Sequence, residues 1–572
     1  MEHTILSTDV LVIGGGGAAA RAAYEADAMG ADVILAVKGD FGAVGTRGSG
    51  STGGAISPFG VFATPGWTGN VTKGEIPMKM MIGAAVETAY KNILQVGLGM
   101  ADPKLAQVLV TEAVDTRKKM LELGCDFGEY GVRSHGIPIM ATFGSILRRS
   151  NVKILERTMV FRLIVENGEC AGAYCVNEMT GEEFVIKAGA VIMATGGDAN
   201  LFLENLGSPC NSGDGYTMGY EAGAALTNME FKQIFLGTMS PNKNMLIRPL
   251  PKYAHLFNKD GEEFLEKYLP DGATVEECLA QRNAHNPFST RDALSRFVDI
   301  AIQNEVKDGR GTEHNAVYLD LTDSRNPLPD LPRREFYEYR GVDFSKPIEV
   351  GVNQHCSLGG FIIDENAETT VPNLFAAGEC AAGPHGADRI GGCMLLASQV
   401  FGAKAGKVAA ERAMGKKRAE LSANSLDEIK CLISGTPSGD IDPMEARKEL
   451  QTAAYYDLLV VRNAAGLENF LGKVASIEAA VAAGIDWSTP AKKLLALELK
   501  NMLTLANIEA LACMERKESR GPHYRSDYPM QDDSAWVKNV RIQKVAGKPF
   551  VDTFSFNEEW VNIGDKKLGY WA

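Results

Sequence analysis

The chain has 572 residues, 45% hydrophobic and 23% charged, with a formal net charge of −14. That length exceeds one ordinary core and predicts two to four structural units. The acidic balance argues against nucleic acid as a partner, because phosphate neutralisation needs clustered Lys and Arg.

In chain order, residues 9–13 (Asp-Val-Leu-Val-Ile) read as a short buried strand. An Ala-rich helix follows from Ala18 to about Met29, stopped by Gly30, and residues 31–37 form a second buried strand. This is a βαβ unit with parallel strands. The turn between strand and helix is Gly14-Gly15-Gly16-Gly17-Ala18-Ala19, which contains Gly14-x-Gly16-x-x-Ala19. Gly14 permits the tight turn, Gly16 lets backbone N–H groups reach a pyrophosphate, and Ala19 allows close helix–strand packing. A glycine-rich turn that binds nothing is the plain alternative, and the strand and helix flanks count against it. The helix N-terminus adds partial positive charge for an anion.

Where nicotinamide sites carry Asp or Glu for the ribose hydroxyls, this chain has Val37-Lys38. That weighs against a nicotinamide cofactor. Two further strand ends of small residues, Ala194-Thr195-Gly196-Gly197 and Leu374-Phe375-Ala376-Ala377-Gly378-Glu379, suit close contact with an extended ligand and favour FAD.

After a Gly/Ser/Thr segment at 42–54, helical periodicity covers 82–98 and 103–123. Residues 152–192 are strand-like, with turns at Asn167-Gly168 and Thr180-Gly181. Residues 236–344 are polar and proline-punctuated and read as an insertion, strand-turn-helix patterning returns at 351–413, and 434–440 is a linker candidate. Residues 443–516 have the spacing of a helical bundle. The ten cysteines are scattered without C-x-x-C spacing, so neither a zinc site nor an iron–sulfur cluster on this chain is expected, and a reducing compartment is. No basic segment precedes an apolar stretch at the N-terminus; the expected location is cytoplasmic, with no direct membrane insertion.

Five ordered motifs resemble the flavoprotein subunits of succinate dehydrogenase and fumarate reductase. Beyond the glycine turn they are Asn211-Ser212-Gly213-Asp214-Gly215, Ser289-Thr290-Arg291-Asp292, residues 355–360 (His-Cys-Ser-Leu-Gly-Gly), residues 378–392 and residues 516–529. The resemblance implies an α/β fold with a Rossmann-like FAD-binding domain from 1–235 and 345–415. It also implies an inserted α+β capping domain at 236–344, a C-terminal helical domain at 425–540 and a tail at 541–572. It implies non-covalent FAD held by the glycine turn with Lys38, Thr46, Ser49, Gly53, Gly54, Thr195, Gly196, Asp214 and Glu379, and with Met394 and Leu395 near the ring. Arg291 would exchange a proton with substrate, while His355 and Arg389 would clamp a carboxylate, Arg389 touching substrate or flavin. A guanidinium and an imidazole there stabilise charge developing on an enolate-like carboxylate. Taken alone, Arg291-Asp292 is an ordinary surface ion pair and His355 a satisfied core histidine. The 517–525 cluster reads as a structural ion-pair network.

Three departures stand against the family pattern. Residues 46–54 contain no His, with Arg47 where a flavin-tethering His is expected, so no covalent flavin can form there. The family pattern F-x-Q-x-H-P-T is replaced by Phe231-Lys232-Gln233-Ile234-Phe235-Leu236-Gly237, and the following Thr-Glu and R-G-E-G stretch by residues 247–255 (Ile-Arg-Pro-Leu-Pro-Lys-Tyr-Ala-His). Part of a second carboxylate site is therefore missing, which weighs against simple succinate or fumarate and leaves a different or larger acid open. The resemblance implies electron exchange with a separate iron–sulfur subunit. Relatives of the L-aspartate oxidase or adenylylsulfate reductase kind, and an electron-relay subunit with no small substrate, are the alternatives.

Overall fold

The computed structural model describes residues 4–42, 78–126, 136–243, 250–284, 294–326, 335–390 and 392–556, apart from 252 and 336. Strand β1 (Thr4–Ile13), which starts five residues before the predicted strand, leads through the glycine turn into helix α1 (Gly17–Ala28) and strand β2 (Val33–Ala36), in the predicted βαβ order. β1 lies parallel to β2 on one side and to the strand Glu183–Met193 on the other. The latter strand pairs along its first half with Glu169–Asn177, antiparallel, and along its last three residues with Leu374–Ala376, parallel. The C-terminal ends of β1, β2, Glu183–Met193 and Leu374–Ala376 thus share one edge of a seven-stranded sheet. In open α/β sheets this edge is where ligands bind.

Apolar side chains at Val10, Leu11, Val12, Val191, Ile192 and Met193 are fully buried in the centre of this sheet. The Ala-rich face of α1 packs against the helix Cys393–Ala413, whose small residues let the two backbones approach. Asn167 and Gly168 both have positive φ (53° and 83°), the conformation that a tight hairpin between twisted strands requires.

A second sheet joins Lys232–Ser240, Ile348–Ser357, Val317–Asp320 and His255–Phe257. It begins before residue 236 and ends after residue 344, so its pairing crosses both expected boundaries of the insertion. The linker candidate carries a short strand, Ser438–Ile441, and the helices Pro443–Ala454, Ala464–Ala483 and Pro490–Glu515 form the bundle. The start of the expected tail is structured: Asn539–Val545 and Lys548–Phe554 make a hairpin that pairs with Leu226–Thr227. Among the described residues no helix is long and apolar enough to cross a membrane.

Candidate functional site

One continuous groove runs along the shared strand-end edge and encloses about 1290 Å³, its open mouth included. Its walls contain Gly14, Gly15, Gly16, Gly17, Ala18, Lys38, Thr195, Gly196, Asp214, His355, Glu379, Arg389, Met394 and Leu395, all predicted from the sequence. Ala19 is fully buried under the turn. Thr46, Arg47, Ser49, Gly53, Gly54 and Arg291 lie outside the described residues. Thr158, Met159, Val160, Ser208, Cys210 and Cys356 also line the groove, which the sequence does not predict. Thr158–Val160 arrive because their strand returns beside β2, with Thr158 N–H donating to Val37 O at 2.9 Å. Nothing local to that strand signals a ligand wall.

The turn is built for close approach. Gly14 has φ +123°, and a Cβ there would sit 2.1 Å from the Ala194 carbonyl oxygen. A Cβ on Gly197 would meet Glu379 Oε1 at 2.2 Å. The glycines therefore let the turn and the strand end pack directly on Ala194 and Glu379, and no acidic residue occupies the first turn of α1 to repel an anion.

At the β2 end, Lys38 Nζ lies 2.7 Å from Asp214 Oδ2, 2.7 Å from Glu498 Oε1 and 2.6 Å from Ser212 Oγ. Burial opposes the ammonium charge, but the two carboxylates outweigh it and hold the lysine above its ordinary pKa. Asn501 Nδ2 donates to the other Asp214 oxygen at 2.7 Å. Asp214 thus enters the wall as part of a charge cluster that ties the C-terminal helix Pro490–Glu515 to the nucleotide edge.

Glu379 follows the strand Leu374–Ala376 and accepts a hydrogen bond from Ser357 N–H at 3.0 Å. Burial pushes its carboxyl up to about 7, and that one N–H offsets only part of the effect. Behind Ser357, Lys232 Nζ contacts Asp198 Oδ2 at 2.5 Å, Glu509 Oε1 at 2.8 Å and Ser357 Oγ at 3.0 Å. The three charged side chains are at most 1% exposed. Burial drives Glu509 well above the usual carboxylate range, while for Asp198 burial is outweighed by Lys232 and its neighbours.

At the far end, Arg389 Nη2 is 3.1 Å from His355 Nε2, and Arg389 Nε donates to Cys356 Sγ at 3.4 Å. The thiol in turn donates to Gln233 Oε1 at 3.2 Å, and Gln233 Nε2 donates to Asp388 Oδ1 at 2.7 Å. Asp388 also accepts the Arg389 N–H at 2.8 Å, so the guanidinium is braced through its own backbone and through Gln233. The Phe235 ring stands edge to face with His355, centroids 4.4 Å apart. The 516–525 run lies away from the groove walls, in a fully buried network of Arg516 with Glu230 and Glu518, and of Arg520 with Glu518.

Residues 131–395 match the FAD binding domain family, and residues 447–563 match the fumarate reductase flavoprotein C-term family. The chain is 30% identical to a component of the fumarate reductase (CoM/CoB) of Methanothermobacter marburgensis, over 96% of this chain and 100% of that relative. It belongs to the fumarate reductase and succinate dehydrogenase flavoprotein family. As a member, it is an FAD-dependent oxidoreductase. Its fold matches Mycobacterium smegmatis Sdh1 in complex with UQ1, with a TM-score of 0.79 and 26% identity, covering 98% of this chain and 96% of that one. The L-aspartate oxidase of Streptomyces coelicolor is 24% identical across 94% of this chain and 92% of its own.

The groove fits this flavoprotein family's cofactor. Glycines 14–17 line it, its helix N-terminus is free of acidic residues, and its lining runs from Lys38 to Arg389.

Proposed function

We propose that the chain interconverts a saturated and an α,β-unsaturated organic acid, passing the electrons to or from a separate iron–sulfur subunit. The observation that carries this reading is the Arg389–His355 pair at the end of the cofactor groove. Both groups donate hydrogen bonds to an anion, and both stabilise charge on a carboxylate as an adjacent carbon gains or loses hydride. FAD supplies the hydride exchange at its N5. The chain's own residues hold the acid, exclude water behind Met394 and Leu395, and keep the guanidinium aimed through Asp388 and Gln233. Arg291 is proposed, by resemblance, as the proton donor or acceptor.

Phe235 supports a particular substrate class. It sets an apolar ring against His355 where the family pattern carries a His, which supports an acid recognised through one carboxylate. The ten cysteines, scattered without C-x-x-C spacing, support a partner that carries the iron–sulfur centres.

The test is anaerobic mixing of the reduced enzyme with a panel of unsaturated acids, and of the oxidised enzyme with their saturated forms, following flavin absorbance. Monoacids with an apolar end are expected to react faster than fumarate or succinate. Silence toward every acid, with rapid reduction by an iron–sulfur protein, would replace this reading by the electron-relay one.

A further inference from the structure

We propose that Glu379 is a redox-linked proton site, whose carboxyl takes up a proton when the flavin of this groove is reduced and releases it on reoxidation. The proposal rests on FAD as the cofactor and not on the organic-acid reading, and its test uses no substrate.

The placement of Glu379 carries the argument. It is part of the groove wall, between the glycine turn and the His355–Arg389 end, and it looks into the groove while protein surrounds it elsewhere. Among the described residues its carboxyl accepts one hydrogen bond, from Ser357 N–H. Among the described residues it makes no ion pair. The cations that face it are committed elsewhere: Lys232 to Asp198 and Glu509, and Arg389 to His355 and Cys356. The remaining groups around it bring no positive charge. Asp198 repels it, Tyr216 Oη donates to its backbone oxygen at 2.9 Å, and burial pushes the thiols of Cys356 and Cys380 each up to about 11.

The carboxyl is thus balanced between its two forms at neutral pH, at about 7. A bound cofactor removes the groove water that still solvates it, which favours the neutral form further. Reduction adds negative charge to the same groove, and a nearby like charge also favours the neutral carboxyl. The balance is simple. Two electrons enter the flavin from a reductant, the organic acid or the electron partner. One proton moves from solvent water to Glu379 through the open mouth, forming an O–H bond. Reoxidation returns both.

The experiment is the midpoint potential of bound FAD from pH 5.5 to 9 in the wild-type holoenzyme and in Glu379→Gln. Wild type is expected to show an interval above about pH 7 in which one more proton is taken up per electron pair than in the variant. Identical pH slopes in a Glu379→Gln enzyme that keeps FAD would overturn the proposal. Should the variant not retain FAD, the reduced-minus-oxidised infrared spectrum of the wild-type holoenzyme at pH 8.5 decides. A gained protonated-carboxyl band that shifts in D2O supports the proposal, and the absence of any such band overturns it.

Discussion

Arg389 Nη2 lies 3.1 Å from His355 Nε2, and because a guanidinium only donates, the contact makes Nε2 an acceptor and places the proton of the neutral imidazole on Nδ1. Against the face of this imidazole stands the Phe235 ring, which offers no hydrogen bond to a second carboxylate. Phe235→His is therefore expected to raise the rate of flavin reoxidation by fumarate, relative to the best monoacid, by about tenfold or more, the value of one hydrogen bond to a charged group. The ratio of the two stopped-flow rates checks it. An unchanged ratio would remove Phe235 from substrate selection.

The Lys232–Asp198–Glu509 triad is fully buried, so removing the cation leaves the Asp198 carboxylate without compensation. Lys232→Met should destabilise the protein by about 3–5 kcal/mol, and Lys232→Met with Asp198→Asn should recover part of that. Urea unfolding of the three proteins measures it. Equal stability of the single variant and the parent would mean that the triad adds nothing to the fold.

Gly14 combines φ +123° with a would-be Cβ contact of 2.1 Å to a strand-end carbonyl. Backbone strain alone costs about 1–3 kcal/mol for a non-glycine residue held there. Gly14→Ala is expected to purify with less than a tenth of the parent's FAD, read from the ratio of flavin to protein absorbance.

The segment 46–54 contains no histidine, so acid precipitation is expected to release all FAD into the supernatant. Flavin fluorescence of the washed pellet is the check, and a yellow pellet would show a tether elsewhere.

Local signals carry the nucleotide half of the site. The glycine turn, the small strand ends and the Asn167-Gly168 hairpin each declare their backbone conformation over a few residues, and the structure brings the three strand ends to one edge. The family resemblance supplies His355 and Arg389, which the fold does place in contact. What stays illegible depends on distant chain. Lys38 reads as a lysine at a strand end, and only tertiary packing supplies Glu498 and Asn501 around it and Asp214. Lys232 stands in the sequence only at an unspecified position of the F-x-Q pattern, yet it is buried with Asp198 and Glu509, which arrive from two other parts of the chain. The hairpin of residues 539–554 reads as a tail because its strands are short and half exposed, and its docking on Leu226–Thr227 is a long-range pairing.

Contact between Arg389 and the organic acid is decided by the rate at which the reactive acid reoxidises the reduced flavin in Arg389→Gln. That rate should fall at least about a hundredfold, in line with removal of one charge-stabilising donor from an active site. FAD content and reduction by dithionite should stay near the parent's. A variant that keeps its flavin and turns over the acid at a near-parental rate would contradict the assignment of this groove end as the substrate site.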